Sequence, residues 1–146
     1  MKKILSFVLV LFSFNLYSQS FSVPVNVLKS FGEKYPTATD TVWKVENNFY
    51  VVVFLHDNLI KNSKFDFTNN WVETIINYDK ELQLPKLVVS AYKSKVKGST
   101  VSMMTKTESS TKSPFYEITI ETDDKTMVYK ISDVGKIMEE TQIKDE

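Results

Sequence analysis

The sequence contains neither cysteine nor arginine, and each absence excludes whole classes of function. Without cysteine there is no disulfide scaffold, no zinc ribbon, no thiol nucleophile and no lipid-anchored N-terminal cysteine. All 18 basic residues are lysine, so the planar guanidinium fork that grips phosphate and guanine is missing. Because 18 acidic residues balance those lysines, charge gives no support for a nucleic-acid partner, and we expect none.

Glycine and histidine are also scarce, with three glycines and a single histidine. No glycine-rich phosphate loop and no serine nucleophile elbow is present. His56 precedes Asp57 at the end of a predicted strand, but neighbours along a strand point to opposite faces and no nucleophile accompanies them. The predicted turn at Asp66 groups four oxygen donors without the spacing or central glycine of a calcium loop. The sequence therefore predicts no enzyme, no metal site and no cofactor.

The N-terminus has the pattern of a secretory signal peptide over residues 1–20. Lys2 and Lys3 precede an apolar run, and small polar residues follow it. The run is too short to cross a bilayer, which takes about 20 apolar residues, although an uncleaved anchor is the alternative. Cleavage near Ser18 to Ser20 would release a soluble product without membrane insertion. We expect that product in the periplasm or outside the cell.

The remainder, 21–146, reads as one domain in which a unit occurs twice, over about 22–78 and 83–144. Val23-Pro24 and Leu84-Pro85 each precede apolar residues at helical spacing, and proline is tolerated where a helix begins. Tyr35-Pro36 ends the first helix, and the second is expected over 84–97 with Gly98 as its cap.

Strand patterns repeat 66 residues apart after each predicted helix, as in 48–54 against 114–120. Five extra residues in the second copy are assigned to a longer hairpin loop at Lys106 to Pro114. The expected fold class is α+β: the two tandem helix-plus-antiparallel-strand repeats form one antiparallel sheet with two helices on one face. The predicted strands cover residues 42–46, 49–56, 63–67, 71–77, 100–106, 115–122, 126–132 and 136–143.

This order of elements resembles the PepSY-like family of exported bacterial proteins, also described as beta-lactamase-inhibitor-like. The residues that carry the resemblance are the two proline helix starts, Tyr35-Pro36, Val42-Trp43-Lys44, Phe49-Tyr50 and the hairpin from Phe65-Asp66 to Trp71. The resemblance implies a BLIP-like fold and binding or inhibition in the cell envelope rather than catalysis. The second copy departs from the pattern, since Ile137 stands where Trp71 does and Ser132 replaces the aspartate.

The matched strands differ on one face. In the second copy Tyr116, Ile118 and Ile120 alternate with polar residues, which is typical of a half-buried strand. In the first copy both alternating sets are apolar, and the second set would lie on the face without helices. The candidate binding surface is this set together with the tryptophans: Trp43, Phe49, Val51, Val53, Leu55 and Trp71. Alternatively, a loop, the termini or neighbouring strands cover that face.

The sequence therefore favours an exported, non-enzymatic protein-binding module, an inhibitor or regulator of an envelope or secreted enzyme. Its partner would be another protein or a second copy of the chain, as a homodimer. The alternative is a carrier or sensor of a small apolar ligand, which would require a dry pocket lined by Phe31, Tyr50, Phe54 and Tyr92. An enzyme would require a cleft of convergent polar groups.

Overall fold

The computed structural model describes residues 22–95, 99–122 and 125–143; the predicted signal peptide and Gly98 lie outside these ranges. One antiparallel sheet follows chain order from the first strand to the eighth, with two α-helices and one 3-10 turn. The predicted α+β fold is confirmed. The elements are α1 (Val25–Lys34), β1 (Thr39–Glu46), β2 (Phe49–His56), β3 (Leu59–Phe65), β4 (Trp71–Asn77), the 3-10 turn (Glu81–Gln83), α2 (Lys86–Lys93), β5 (Thr100–Ser109), β6 (Phe115–Glu121), β7 (Thr126–Ser132) and β8 (Ile137–Ile143).

Two hairpins of the first half close through two-residue turns of asparagine and aspartate. Asn47-Asn48 joins β1 to β2 and Asp57-Asn58 joins β2 to β3, all with φ between 50° and 65°. Pairs of left-handed residues form the hairpin turns whose twist matches that of the strands. Because the second turn is so short, β3 begins at Leu59, and the predicted range of 63–67 for this strand is wrong.

Each helix packs on the strands of its own half, which gives the protein two separate apolar cores. The first-half core joins Val27 and Phe31 of α1 to Val52, Phe54 and Phe65. The second-half core contains nine buried residues. They are Leu84, Val88, Tyr92, Tyr116, Ile118, Ile120, Met127, Tyr129 and Ile131. Hydrogen bonding between β4 and β5 makes the sheet continuous across the two halves.

Two details of the second half differ from expectation. β5 continues to Ser109, so the longer loop spans 110–114 rather than the whole stretch from Lys106. In this longer strand, residues 105–109 pair with β4 of the first half. The second helix occupies only Lys86–Lys93, shorter than the predicted 84–97, and it ends where the Ser94 hydroxyl bonds the carbonyl of Ala91.

A polar cluster ties α1 to the sheet near the junction of the halves. The Thr74 hydroxyl, fully buried on β4, contacts the hydroxyls of Tyr35 and Ser63 and accepts a hydrogen bond from the indole N–H of Trp71. Burial raises the pKa of Tyr35, with the Thr74 hydrogen bond acting in the opposite direction. The cluster holds the C-terminal end of α1 against β3 and β4, beside the apolar contacts of the first-half core.

Candidate functional site

Strand register assigns every inward and outward side chain to one of two faces. Tyr50, Val52 and Phe54 point to the helices, as predicted, and so do Tyr116 and Ile118. The opposite face, called the open face here, has no helix over it among the described residues. Following the register across the sheet, it includes Lys44, Glu46, Phe49, Val51, Val53, Leu55, Ile60, Asn62, Lys64, Glu73, Ile75, Asn77, Met103, Thr105, Thr107, Phe115, Glu117, Thr119, Glu121, Val128, Lys130 and Glu139.

The centre of the open face is recessed although no helix lies over it. Val51 is only 1% exposed, and Thr105 and Thr107 are each 8% exposed. Such low exposure on a helix-free face means that neighbouring side chains rise around these positions. The open face is therefore a shallow trough rather than a flat surface.

Three depressions lie along this trough and share residues. The largest, about 430 Å³, is lined by Asn62, Ile75, Asn77, Met103, Thr105, Glu117, Thr119 and Val128. A second, about 310 Å³, extends from Asn62 and Ile75 to the β1–β2 turn. A third, about 320 Å³, shares Asn77 and lies at the end of the face between Leu55 and Tyr78. Because neighbouring depressions share walls, they form one branched groove that crosses from the first half into the second.

Four of the six predicted surface residues lie on the open face, but they are not equally accessible. Val53 is 36% exposed, and Phe49 and Leu55 are half-buried. Val51 is buried between its cross-strand neighbours Lys44 and Lys64, whose ammonium groups form ion pairs with Glu46 and Glu73 at 2.7 and 2.6 Å. Because Val51 is 1% exposed, Val53 rather than Val51 is available for contact.

The expectation that the tryptophans extend this surface is corrected, because both lie on the helix side. Trp43 pairs with Val52 across β1 and β2, and its ring meets Phe31 edge-on at 5.3 Å. Trp71 pairs with Phe65 after a bulge, and the Lys34 ammonium lies 3.7 Å from its ring centroid. Both indoles therefore close the first-half core.

Charges on the open face are balanced in the first half and unbalanced in the second. The two first-half lysines are in the ion pairs just described. On the described second-half strands this face carries three carboxylates, Glu117, Glu121 and Glu139, and one lysine, Lys130. The Lys130 ammonium lies 4.0 Å from the ring centroid of Phe115. Near the middle of the trough, the buried Asn62 Oδ1 has no hydrogen-bond partner in the described structure.

The single histidine, His56, is half-buried on the helix side, where its ring packs against Tyr35. Its Nδ1 lies 2.7 Å from both the Lys61 ammonium and the Asp57 carboxylate. Asp57 has a left-handed backbone conformation, with φ of 55°, which turns its side chain back towards the histidine. The prediction that His56 and Asp57 point apart is wrong for this reason. Since Nδ1 either accepts or donates, it serves one of the two at a time. Lys61 is 7% exposed, so this cluster closes the edge of the first-half core.

The turn at Asp66 uses its donors internally. The Asp66 carboxylate accepts hydrogen bonds from the backbone N–H groups of Thr68 and Asn70 and from the Thr68 hydroxyl. These bonds, led by the one from Asn70, lower the pKa of Asp66. Within the described ranges, no group of three or more histidine and acidic side chains is arranged to hold a metal ion. No helix in the described part of the chain is long and apolar enough to cross a membrane.

The sequence interpretation missed the residues that line the main depression, notably Asn62, Ile75, Met103 and Glu117. Part of the signal was present, because Glu117 belongs to the outward set of β6. Its neighbours on β5, β4 and β3 follow from the strand pairing, which alternation within one strand does not give. On β2 both alternating sets are apolar, and this stronger pattern placed the predicted surface in the first half.

Comparison with known proteins identifies the fold. No family model matches the chain, and no curated protein sequence matches it. Solved structures do match. A BLIP-like protein from Bacteroides fragilis NCTC 9343 aligns with a TM-score of 0.77 and 21% identity, covering 88% of this chain and 92% of that one. A DUF2874 family protein from Bacteroides ovatus ATCC 8483 gives 0.76 and 22%, covering 86% and 91%.

A further match is a protein from Bacteroides eggerthii DSM 20697 that is inferred to be periplasmic, with a TM-score of 0.74 and 17% identity over 84% of this chain and 91% of that one. The chain thus shares its BLIP-like fold with PepSY-like and DUF2874 proteins, and the resemblance predicted from the sequence is confirmed at the level of structure. At these identities the likeness establishes the fold.

Proposed function

We propose that the protein is an exported, non-enzymatic binding module that receives a partner protein on its open face, as an inhibitor or regulator of an envelope or secreted enzyme. The observation that carries the proposal is the branched groove: its depressions lie on the helix-free side or at the end of it, and they are lined by exposed or half-buried apolar residues such as Met103, Ile60 and Leu55. Apolar surface in a concavity with a polar rim is typical of protein contacts.

The BLIP-like fold supports the same reading, because it is an inhibitor-like fold. The periplasmic inference for a structurally similar protein agrees with a signal peptide that would be removed near Ser18 to Ser20. Binding and export in this chain both belong to the proposal.

The rival, a carrier of a small apolar ligand between helices and sheet, has less support. The aromatic rings that would line its pocket do not surround one space. Phe31 packs edge-on against Phe54 at 4.9 Å, and Tyr92 belongs to the second-half core. A close-packed core favours binding at the surface.

The test is capture from an envelope extract with tagged mature protein and matched charge variants. Met103→Lys and Ile60→Lys place a cation on the open face at side chains that are 58% and 57% exposed. Leu28→Lys does the same on α1, at 43% exposure, as a control. We expect wild type and Leu28→Lys to retain the same protein and the open-face variants to lose it. Retention by all variants with unchanged folding would reject the open face as the contact surface.

A further inference from the structure

The main depression of the open face contains a carboxylate without a partner. Glu117 is half-buried on β6, and within the described residues it makes neither a hydrogen bond nor an ion pair. In contrast, Glu46 and Glu73 on the same face each form an ion pair with a lysine. A cation interacts more favourably with a partly desolvated, unpaired carboxylate than with a carboxylate exposed to water.

The nearest lysine does not neutralise this group. Register places Lys130 between Glu117 on β6 and Glu139 on β8, so a single cation faces two carboxylates. Its ammonium instead lies over the ring of Phe115. The second half of the open face therefore keeps an excess of negative charge beside the depression.

The other walls of the depression suit the stem of a long side chain. Ile75, Met103 and Val128 line it, so methylene groups entering beside Glu117 would contact apolar surface. Lysine and arginine combine such a stem with a charged tip. Apolar walls with one carboxylate at the far end thus match a basic side chain in both shape and charge.

The extent of the depression indicates how the entering chain runs. Asn62 lines it on β3, three strands away from Glu117, a separation of about 14 Å at normal strand spacing. An extended segment covers that distance in about four residues. Such a segment can place a basic side chain at Glu117 while its backbone passes over Asn62.

We propose that the open face recognises a loop of a partner protein that inserts a lysine or arginine side chain into the main depression, with its cation paired to Glu117. The inference rests on the proposed function, since it specifies what the open face binds. It makes Glu117 the determinant of specificity and Met103 part of the apolar wall.

The experiment is a selection of disulfide-closed peptide loops, displayed on phage, against the immobilised wild-type protein. Loops whose binding is lost on Met103→Lys are the ones that occupy the depression. We expect these loops to carry lysine or arginine and to bind Glu117→Gln about tenfold or more weakly. Glu121→Gln, at an exposed position on the same strand, is the matched control and should change affinity less than about twofold. Lys130→Gln should strengthen binding, because it removes the one competing cation.

The outcomes separate the two proposals. Depression-directed loops that lack a basic residue, or that bind Glu117→Gln as well as wild type, would overturn the inference and leave the binding face in place. If no selected loop is sensitive to Met103→Lys, the open face itself fails as a binding surface. Circular dichroism and thermal midpoints of each variant show that the fold is intact.

Discussion

At the scale of single residues, hydrogen bonding at Thr74 has more effect on stability than its burial alone suggests. Its hydroxyl serves three partners from α1, β3 and β4, and all of them lie in or next to the first-half core. A buried polar network of this kind is stabilising only while each member remains satisfied.

Thr74→Val should therefore destabilise the protein by about 2–4 kcal/mol, because it preserves shape but leaves the Tyr35 and Ser63 hydroxyls and the Trp71 N–H with fewer partners. Urea unfolding followed by circular dichroism measures the change. Thr107→Val is the matched control: Thr107 is 8% exposed on the open face, and its hydroxyl makes no hydrogen bond in the described structure. We expect a change under about 1 kcal/mol there, and equal losses at both sites would refute the role of the cluster.

At the scale of elements, two glycines have opposite roles. Gly32 lies in the last turn of α1, and a Cβ added there would meet nothing within 4 Å. Gly135 turns β7 into β8 with φ of +79°, and a Cβ there would lie 2.8 Å from the carbonyl oxygen of Leu87 in α2. The β7–β8 turn thus packs directly on the backbone of α2.

Gly32→Ala should stabilise the protein by about 0.5–1 kcal/mol, since alanine reduces the entropy lost when the helix forms. Gly135→Ala should destabilise it by more than that, because the new methyl group collides with backbone and the left-handed conformation is strained. The thermal midpoint of each variant, compared with that of the wild type, measures these changes. Two shifts of the same sign would contradict this assignment.

The 3-10 turn is fastened to α2 by a carboxylate. Glu81 accepts a hydrogen bond from the Tyr92 hydroxyl and pairs with the Lys93 ammonium at 2.6 Å. The hydrogen bond from Lys93, and to a smaller extent the one from Tyr92, lowers the pKa of Glu81 below its ordinary value of 4.5. Because the folded state holds this proton less tightly, the stability contributed is present above pH 4.5 and is lost as pH falls through the folded pKa.

Glu81→Gln should thus lower the free energy of unfolding at neutral pH, and the difference from wild type should shrink well below pH 4.5. Urea titrations at the two pH values test this. Glu33→Gln, on the exposed side of α1, controls for the loss of a surface carboxylate. A difference that does not depend on pH would show that the contact acts through packing alone.

Sequence patterns predicted most elements because alternation and helical spacing are local properties. The ranges of β2, β4 and β7 agree with the structure. Asn69 and Gly135, residue types that tolerate the left-handed conformation, both adopt it. What failed depended on register: the two-residue turn at Asn47-Asn48 sets Trp43 opposite Val52 and hence on the helix side. For Trp71 the cause is a bulge, which alternation alone does not reveal.

At the scale of the whole molecule, the two cores share one sheet. Both tryptophans pack on the first-half core, so their fluorescence reports on that half, whereas Ile118 is fully buried in the other. The β4–β5 ladder is the continuous connection between them, and losing it would expose unpaired strand edges. We therefore expect the halves to unfold together.

Ile118→Ala should cost about 2–5 kcal/mol and should shift the tryptophan fluorescence transition in urea together with the circular dichroism transition. The cavity lies in the second half, so a shift of the fluorescence signal from the first half requires coupling through the sheet. A fluorescence transition that stays at its wild-type midpoint would mean two independent units.

Coverage of the open face by a partner is directly measurable, because the sequence contains no cysteine. A single cysteine introduced by Met103→Cys on the open face, or by Leu28→Cys on the helix side, is the only thiol in its variant. The alkylation rate of each is measured with and without the protein captured from envelope extract. We expect strong protection at position 103 and an unchanged rate at position 28; protection at 28 with free reaction at 103 would rule out the open face as the contact surface.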